Sequence, residues 1–422
     1  MALNGAAAGD PPGLATGVRW LARSSARAFL VIFLLAFAVG TAVLPFVPRS
    51  VIEPHTRWEV NAVAVSLATT GRFADPYALP SGPTAHMPPA FPALLALLYR
   101  IFGLTNTAGY VAYFIQVAAA AAMVAMLPWL SHRLGTGREA GLIGGLAGAL
   151  VPRSLYEIEC MAAVAMGLLV AWHVKQWRAP RRSLGGALLV GLGWGASFHI
   201  TPSLLPVLVG CVLFDLWWNG DRQKWLSNAL VALGVALACL PWTLRNYTTF
   251  GEFYVIRSDF GLELRMGNHD GAAADLDTLD RPGIRLLRHP RTHLGEAQLV
   301  QQLGEAEYMR RVRAETFDWI RRHPDRFLSL SAQRVFHFWF GSPSQGREMA
   351  LGSALLTILA SLGLRRAWPT LTVPGRAGFL IPLLTFPLVY YVVVFMPRYG
   401  MPLTGMLLVL AGVEVCYFTA RR

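Results

Sequence analysis

"AFLVIFLLAFAVGTAVLPFV", residues 28–47, decides the fold class. Twenty residues without one charged side chain, rising about 1.5 Å each as a helix, cover the roughly 30 Å of a bilayer's hydrocarbon. Arg23 and Arg27 stand before the run, and Pro48 and Arg49 close it. The pattern recurs along the 422 residues, giving ten candidate spans near 28–47, 108–130, 139–153, 155–174, 184–200, 203–218, 227–244, 349–364, 377–396 and 401–419. With 54% hydrophobic and only 14% charged residues and a mean hydropathy of +0.44, the chain reads as an all-α polytopic membrane protein of about ten transmembrane helices. The net charge of +13 is spread in short basic clusters between apolar runs. That distribution argues against a nucleic-acid surface, so no nucleic-acid partner is expected. Cys160, Cys211, Cys239 and Cys416 all lie in apolar stretches, where a thiol behaves as a small hydrophobe; neither a disulfide framework nor a zinc site is expected.

Working outward, the short loops set the orientation, because cytoplasmic loops collect Lys and Arg. With the N-terminus inside, sixteen basic residues fall on cytoplasmic segments and six on the short outer ones. Both termini are therefore expected in the cytoplasm of a plasma membrane (bacterial inner membrane), with 1–27 as a cytoplasmic tail rather than a cleaved signal. The domain reading is a transmembrane catalytic module over 28–244, an extracytoplasmic insert over 245–348 and C-terminal spans over 349–422.

Two hydrophilic stretches, 48–107 and 245–348, then share the outer face, and function is sought there. In 58–70, Val60, Val63, Ala64 and Leu67 form one helical stripe with Glu59 on its polar edge. Gly71 and the turn Asp75-Pro76-Tyr77 end it. Residues 90–102 make an amphipathic helix too short to span, suited to the interface. The later stretch reads as a small mixed domain: aromatic and β-branched around 250–266, Gly/Asp-rich over 267–283, then helical. Phe327 to Trp339 supply an aromatic belt returning the chain to the bilayer.

Several pieces, in order, resemble the GT-C superfamily of membrane glycosyltransferases, in the bacterial branch similar to protein O-mannosyltransferases and lipid A aminoarabinose transferases. They are Ala62 to Leu67 with Gly71; Gly82-Pro83-Thr84-Ala85-His86-Met87-Pro88-Pro89 before the interfacial helix; Glu159; His199-Ile200-Thr201-Pro202; Pro241 to Tyr247 with Gly251 and Gly267-Asn268; and Pro397-Arg398-Tyr399-Gly400-Met401-Pro402. The resemblance implies a GT-C-like fold and transfer of a sugar from a polyprenyl-phosphate carrier to a glycan, lipid or protein acceptor. It also implies a site at the outer boundary of the membrane lipids. An anionic phosphate cannot enter hydrocarbon unpaired and a prenyl tail cannot leave it, so such a site straddles the interface.

The family's first loop presents an Asp near its helix, with an acidic neighbour. Here the matching positions read Thr56 or Arg57, leaving Glu59 and Glu53 as candidate bases. Glu59 is equally readable as a helix carboxylate paired with Arg57. Glu159 is the acid that the resemblance selects at the head of the fourth span, with a loop pair to Arg153 as its bland reading. Glu157 points about 200° away on a helix. For the phosphate, a basic residue usual before the Pro-Pro pair is replaced by Met87, so His86, Arg398 with Tyr399, Arg245 and His199 are the candidate substrate-binding residues. Structural readings stand beside each: headgroup contact for Arg398, a turn residue for His86, a satisfied core imidazole for His199.

CxxC and GxxxxGK[ST] patterns are missing, and the expectation is transfer without a metal or other cofactor. Gly191-Leu192-Gly193-Trp194-Gly195 lies within a span and reads as a close-packing stripe. The expected activity is an inverting glycosyltransferase; a non-catalytic scaffold and a lipid-linked sugar flippase are the alternatives.

Overall fold

The computed structural model describes residues 20–54, 59–151, 158–218, 222–276, 289–342 and 345–419. All ten apolar segments are helical: α1 (Ser25–Ala42), the pair α4 (Asn106–Ala125) and α5 (Leu127–Leu134), α6 (Arg138–Leu150), α7 (Glu159–Arg178), α8 (Leu184–Phe198), α9 (Leu205–Trp218), α10 (Gln223–Phe250), α15 (Arg347–Ala367), α16 (Val373–Thr385) and α17 (Met401–Thr419). Six stretches are long and apolar enough to cross a membrane, namely Ser25–Phe46, Asn106–Leu134, Gln223–Phe250, Arg347–Ala367, Val373–Tyr391 and Pro397–Thr419. The expected count of about ten drops to six on this measure because α6, α8 and α9 are short and α7 carries Glu159, His173, Lys175 and Arg178.

Small residues set how closely these helices meet. A Cβ on Gly191 of α8 would lie 2.2 Å from the Val231 carbonyl oxygen of α10, and one on Gly363 of α15 would lie 1.8 Å from the Leu410 oxygen of α17. Only hydrogen fits at such contacts. Around them runs one continuous apolar core, from Ile32 through Trp194 and Phe379 to Val409.

The hydrophilic stretches lie together at one end of the bundle. They contain α2 (Glu59–Thr70), α3 (Ala90–Phe102), α11 (Phe260–Gly267), α12 (Leu294–Leu303), α13 (Glu305–Arg322) and α14 (Pro324–Phe340). The stripe read from 58–70 is real in part: Val63 and Ala64 are buried, and α2 packs on Leu95, Leu98 and Tyr99 of α3.

Two expectations are corrected. Helix α10 does not stop at 244 but runs to Phe250, where Gly251 at φ 68° takes the left-handed cap. And the mixed domain is helical: among the described residues β-structure is limited to the isolated bridges Ala74–Pro83 and Asp275–Phe395. The β-prone run after Gly251 forms no ladder because side chains of α10 take its carbonyls. Asn246 donates to the oxygens of Tyr254 and Ile256, Thr243 to that of Val255, and Trp242 to that of Ile256.

Candidate functional site

Glu59 opens α2, His86 sits in the loop between α2 and α3, and His289 precedes α12. Each offers one ligand atom, and these atoms lie within 4.8 Å of one another. Glu59 Oε1 is 3.6 Å from His289 Nδ1, and the His86 and His289 rings are 6.1 Å apart. The local sequence builds this convergence. Asp75, held at φ 61°, accepts the N–H groups of Ser81 and Gly82 at 2.8 and 2.9 Å. That closes the turn and points the chain back toward Phe73, whose oxygen takes the Thr84 N–H at 3.1 Å.

The segment carrying His289 is then stitched to this loop. Ala78 N–H donates to the Pro290 oxygen at 3.1 Å. Arg291 Nη1 donates to the oxygens of Pro76 and Tyr77 at 3.2 and 3.0 Å, and Gln301 Nε2 to that of Pro80 at 2.6 Å. The last stitch is Glu305, a buried carboxylate that accepts the Ala85 N–H at 2.7 Å and the Thr84 and Ser258 hydroxyls.

Burial pushes the His86 imidazole well below its ordinary pKa, and the charges of Arg257 and His289 add to the effect. The ring is therefore neutral at physiological pH, the form that binds a cation. Its buried Nδ1 has no hydrogen-bond partner among the described residues. Two imidazoles and a carboxylate are a donor set for zinc or a similar divalent ion, and an orphaned buried nitrogen is what such an ion would satisfy. The expectation of transfer without a metal is overturned by this cluster. It escaped a motif search because its ligands come from three separate stretches of chain.

A second group faces the same region. Arg398, in the turn Pro397–Gly400 before α17, lies 3.7 Å from Glu159 at the head of α7. Its guanidinium is 5.6 Å from the Tyr399 ring, which stacks on Tyr390 at 4.3 Å. Arg257 connects the two groups: it pairs with Asp259 and Glu263 and acts electrostatically on His86 and Tyr77 on one side. On the other side it feels Tyr399, Tyr390 and Arg398; burial pushes its pKa down, Glu263 and the two tyrosines oppose this, and Arg398 adds to it.

The remaining sequence candidates lie elsewhere. Arg245 spends its guanidinium on the carbonyls of Thr84 and Phe73, at 2.7 and 3.1 Å, and on Asn246. Its contacts hold the first loop rather than open space. His199 keeps its Nδ1 on the Gly195 oxygen at 2.9 Å, and its own carbonyl takes the Ala90 N–H, locking the start of α3 to the end of α8. Glu53 is exposed at the end of the single turn Arg49–Ile52. Thr56, Arg57, Arg153 and Glu157 lie outside the described residues. Sequence reading missed His289, Arg257 and Glu305; the signal for the first was its i, i+4 spacing to His293 after a Gly/Asp-rich run.

Between α9 and α10 runs an apolar cavity of about 720 Å³, lined by Leu208, Val212, Val235, Leu240, Phe253 and Val255 among others. Its Phe253–Val255 rim is two residues from Arg257 in the chain.

No protein-family model matches the chain, and no curated protein matches it. Solved structures do. The Archaeoglobus fulgidus oligosaccharyltransferase tethered with an acceptor peptide containing the NVT sequon superposes with a TM-score of 0.56 at 13% identity, over 93% of this chain and 50% of that one. AglB from the same organism, in complex with an inhibitory peptide and a dolichol-phosphate, gives 0.53 at 14% identity, over 93% and 50%. The A. fulgidus oligosaccharyltransferase complex with Zn and sulfate gives 0.51 at 15%, over 92% and 49%. The fold is like that of these A. fulgidus structures. The chain spans about half the length of these structures, so the likeness is one of fold and carries no activity, donor or acceptor.

Proposed function

We propose that this protein is a glycosyltransferase that moves a sugar from a polyprenyl-phosphate donor to an acceptor at the outer face of the membrane. The observation that supports it best is the adjacency in the chain of an apolar cavity and a cationic, cation-binding cluster: Phe253 and Val255 line the first, and Arg257 faces His86 in the second. A donor with a prenyl tail and an anionic head needs both. In this reading α6 to α9 complete about ten crossings, both termini are cytoplasmic, and the bacterial branch suggested by the ordered pieces from Ala62 to Pro402 is retained.

Glu59, His86 and His289 would hold a divalent ion; a complex with Zn and sulfate exists for the Archaeoglobus enzyme of the same fold. Bound there, the ion supplies positive charge to the donor phosphate. The chain's own groups do the rest. Arg398 and Arg257 hold phosphate oxygens, and Glu159 aims Arg398. The acceptor oxygen bonds to the anomeric carbon while the carbon–oxygen bond to phosphate breaks, its electron pair passing to the phosphate. Glu159, whose Oε2 is buried without a hydrogen-bond partner among the described residues, takes the acceptor proton. A single displacement inverts the anomeric centre.

Membranes given labelled polyprenyl-phosphate sugar should show transfer that a chelator removes and zinc restores. Transfer undiminished by chelation and by His289→Ala would sink the cation assignment. Donor binding without any turnover would favour the scaffold reading.

A further inference from the structure

Tyr77, read from the sequence only as part of a turn, is a buried phenol, 3% exposed, whose hydroxyl has no hydrogen-bond partner among the described residues. A buried O–H left unmade is costly, and each such group asks for a reason. Its ring lies 5.2 Å from that of His86, and the carboxylates acting on it are Glu305 and Glu59. Glu305 is already engaged by Thr84, Ala85 and Ser258. Glu59 has a looser contact, 3.6 Å from His289, longer than a hydrogen bond. The Tyr77 backbone is fixed by the stitching that delivers His289: its carbonyl accepts from Arg291 at 3.0 Å, and the next N–H donates to Pro290.

We propose that Tyr77 is the positioning donor of the cation site: its phenol hydrogen-bonds a Glu59 oxygen once a divalent ion draws that carboxylate toward His86 and His289. The proposal rests on the cation reading above and goes beyond it in assigning a residue outside the ligand set. Carboxylates that bind metals are oriented by such outer hydrogen bonds, and losing one weakens metal affinity about 10- to 100-fold.

The test uses the full chain in detergent, with zinc alone as probe, titrated against a chromophoric chelator. Wild type should bind zinc, and His289→Ala should lose it. Tyr77→Phe should weaken zinc binding about 10- to 100-fold, yet melt, metal-free, at or above the wild-type temperature. In a Glu59→Gln background the same change should add no further loss. Tyr77→Phe within threefold of wild type, or melting several degrees lower without metal, overturns the role of Tyr77 alone. A wild type that takes up no zinc overturns the cation reading itself, and the Tyr77 assignment with it.

Discussion

Glu305→Ala offers the sharpest view of how the site is assembled. The carboxylate ties the His86 loop to the head of α13, across 221 residues of sequence, through the Thr84 hydroxyl, the Ala85 N–H at 2.7 Å and the Ser258 hydroxyl at 2.8 Å. In alanine the two hydroxyls can rotate to other acceptors, but the Ala85 N–H is buried with nowhere to turn. Counting one full desolvation penalty and two partial ones gives a loss of about 2–5 kcal/mol. Glutamine keeps an oxygen for Ala85 and Ser258 and presents N–H to the Thr84 oxygen, so Glu305→Gln should cost about 1 kcal/mol. The two variants also separate by pH. Burial pushes the Glu305 carboxyl up, against its hydrogen bonds from Thr84, Ala85 and Ser258 and the charge of Arg245. A folded state that keeps its proton where the unfolded chain has lost it becomes less stable as pH rises, from the unfolded value of about 4.3 through the raised folded one. Scanning calorimetry in detergent at about pH 5 and about pH 8 reads both effects. Wild type should lose stability between them and Glu305→Gln should not. Equal melting of the alanine and glutamine variants, or parallel pH profiles for wild type and glutamine, would refute the reasoning.

Gly363→Ala would place a methyl 1.8 Å from the Leu410 oxygen, forcing α15 and α17 apart; melting should fall by more than the roughly 1–3 kcal/mol of ordinary overpacking. Arg182→Met would leave Asp215, buried and now held by two 2.7 Å bonds from that guanidinium, with Asn228 as its remaining neutral donor. A loss of about 3–5 kcal/mol is expected, and Arg182→Met with Asp215→Leu should recover most of it. Arg245→Lys should lower zinc affinity and melting together, because one ammonium replaces a fork that spans the carbonyls of Thr84 and Phe73; unchanged melting would mean those bonds carry no stability.

What the sequence made legible follows from the range over which its signals act. Uncharged runs such as 28–47 need no partner to declare themselves helical, and among the described residues each of the ten apolar segments contains a helix. Local stop signals worked equally well at Gly71, which ends α2 at φ 74°. Where hydropathy alone sets a boundary it errs: the fall in apolarity at Arg245 marks the end of a span, but the helix continues because Arg245, Asn246 and Thr243 all find backbone carbonyls of the loops packed beside them.

The site itself was only half visible, for the same physical reason. Glu59 and His86 stand out as polar residues in the first loop, yet what makes them candidate ligands is His289, brought in by hydrogen bonds between loops more than two hundred residues apart, such as Arg291 to Pro76 and Tyr77. No periodicity encodes such a contact. A lone imidazole in a Pro-rich turn is ambiguous until a second imidazole and a carboxylate come within 4.8 Å of it. Arg257 was hidden differently, inside a run whose aromatic and β-branched composition points to strand formation and away from its two cations, Arg257 and Arg265. In a chain this apolar, the polar groups that matter are those whose partners the fold supplies from far away, and their chemistry is set by the loops that carry them together.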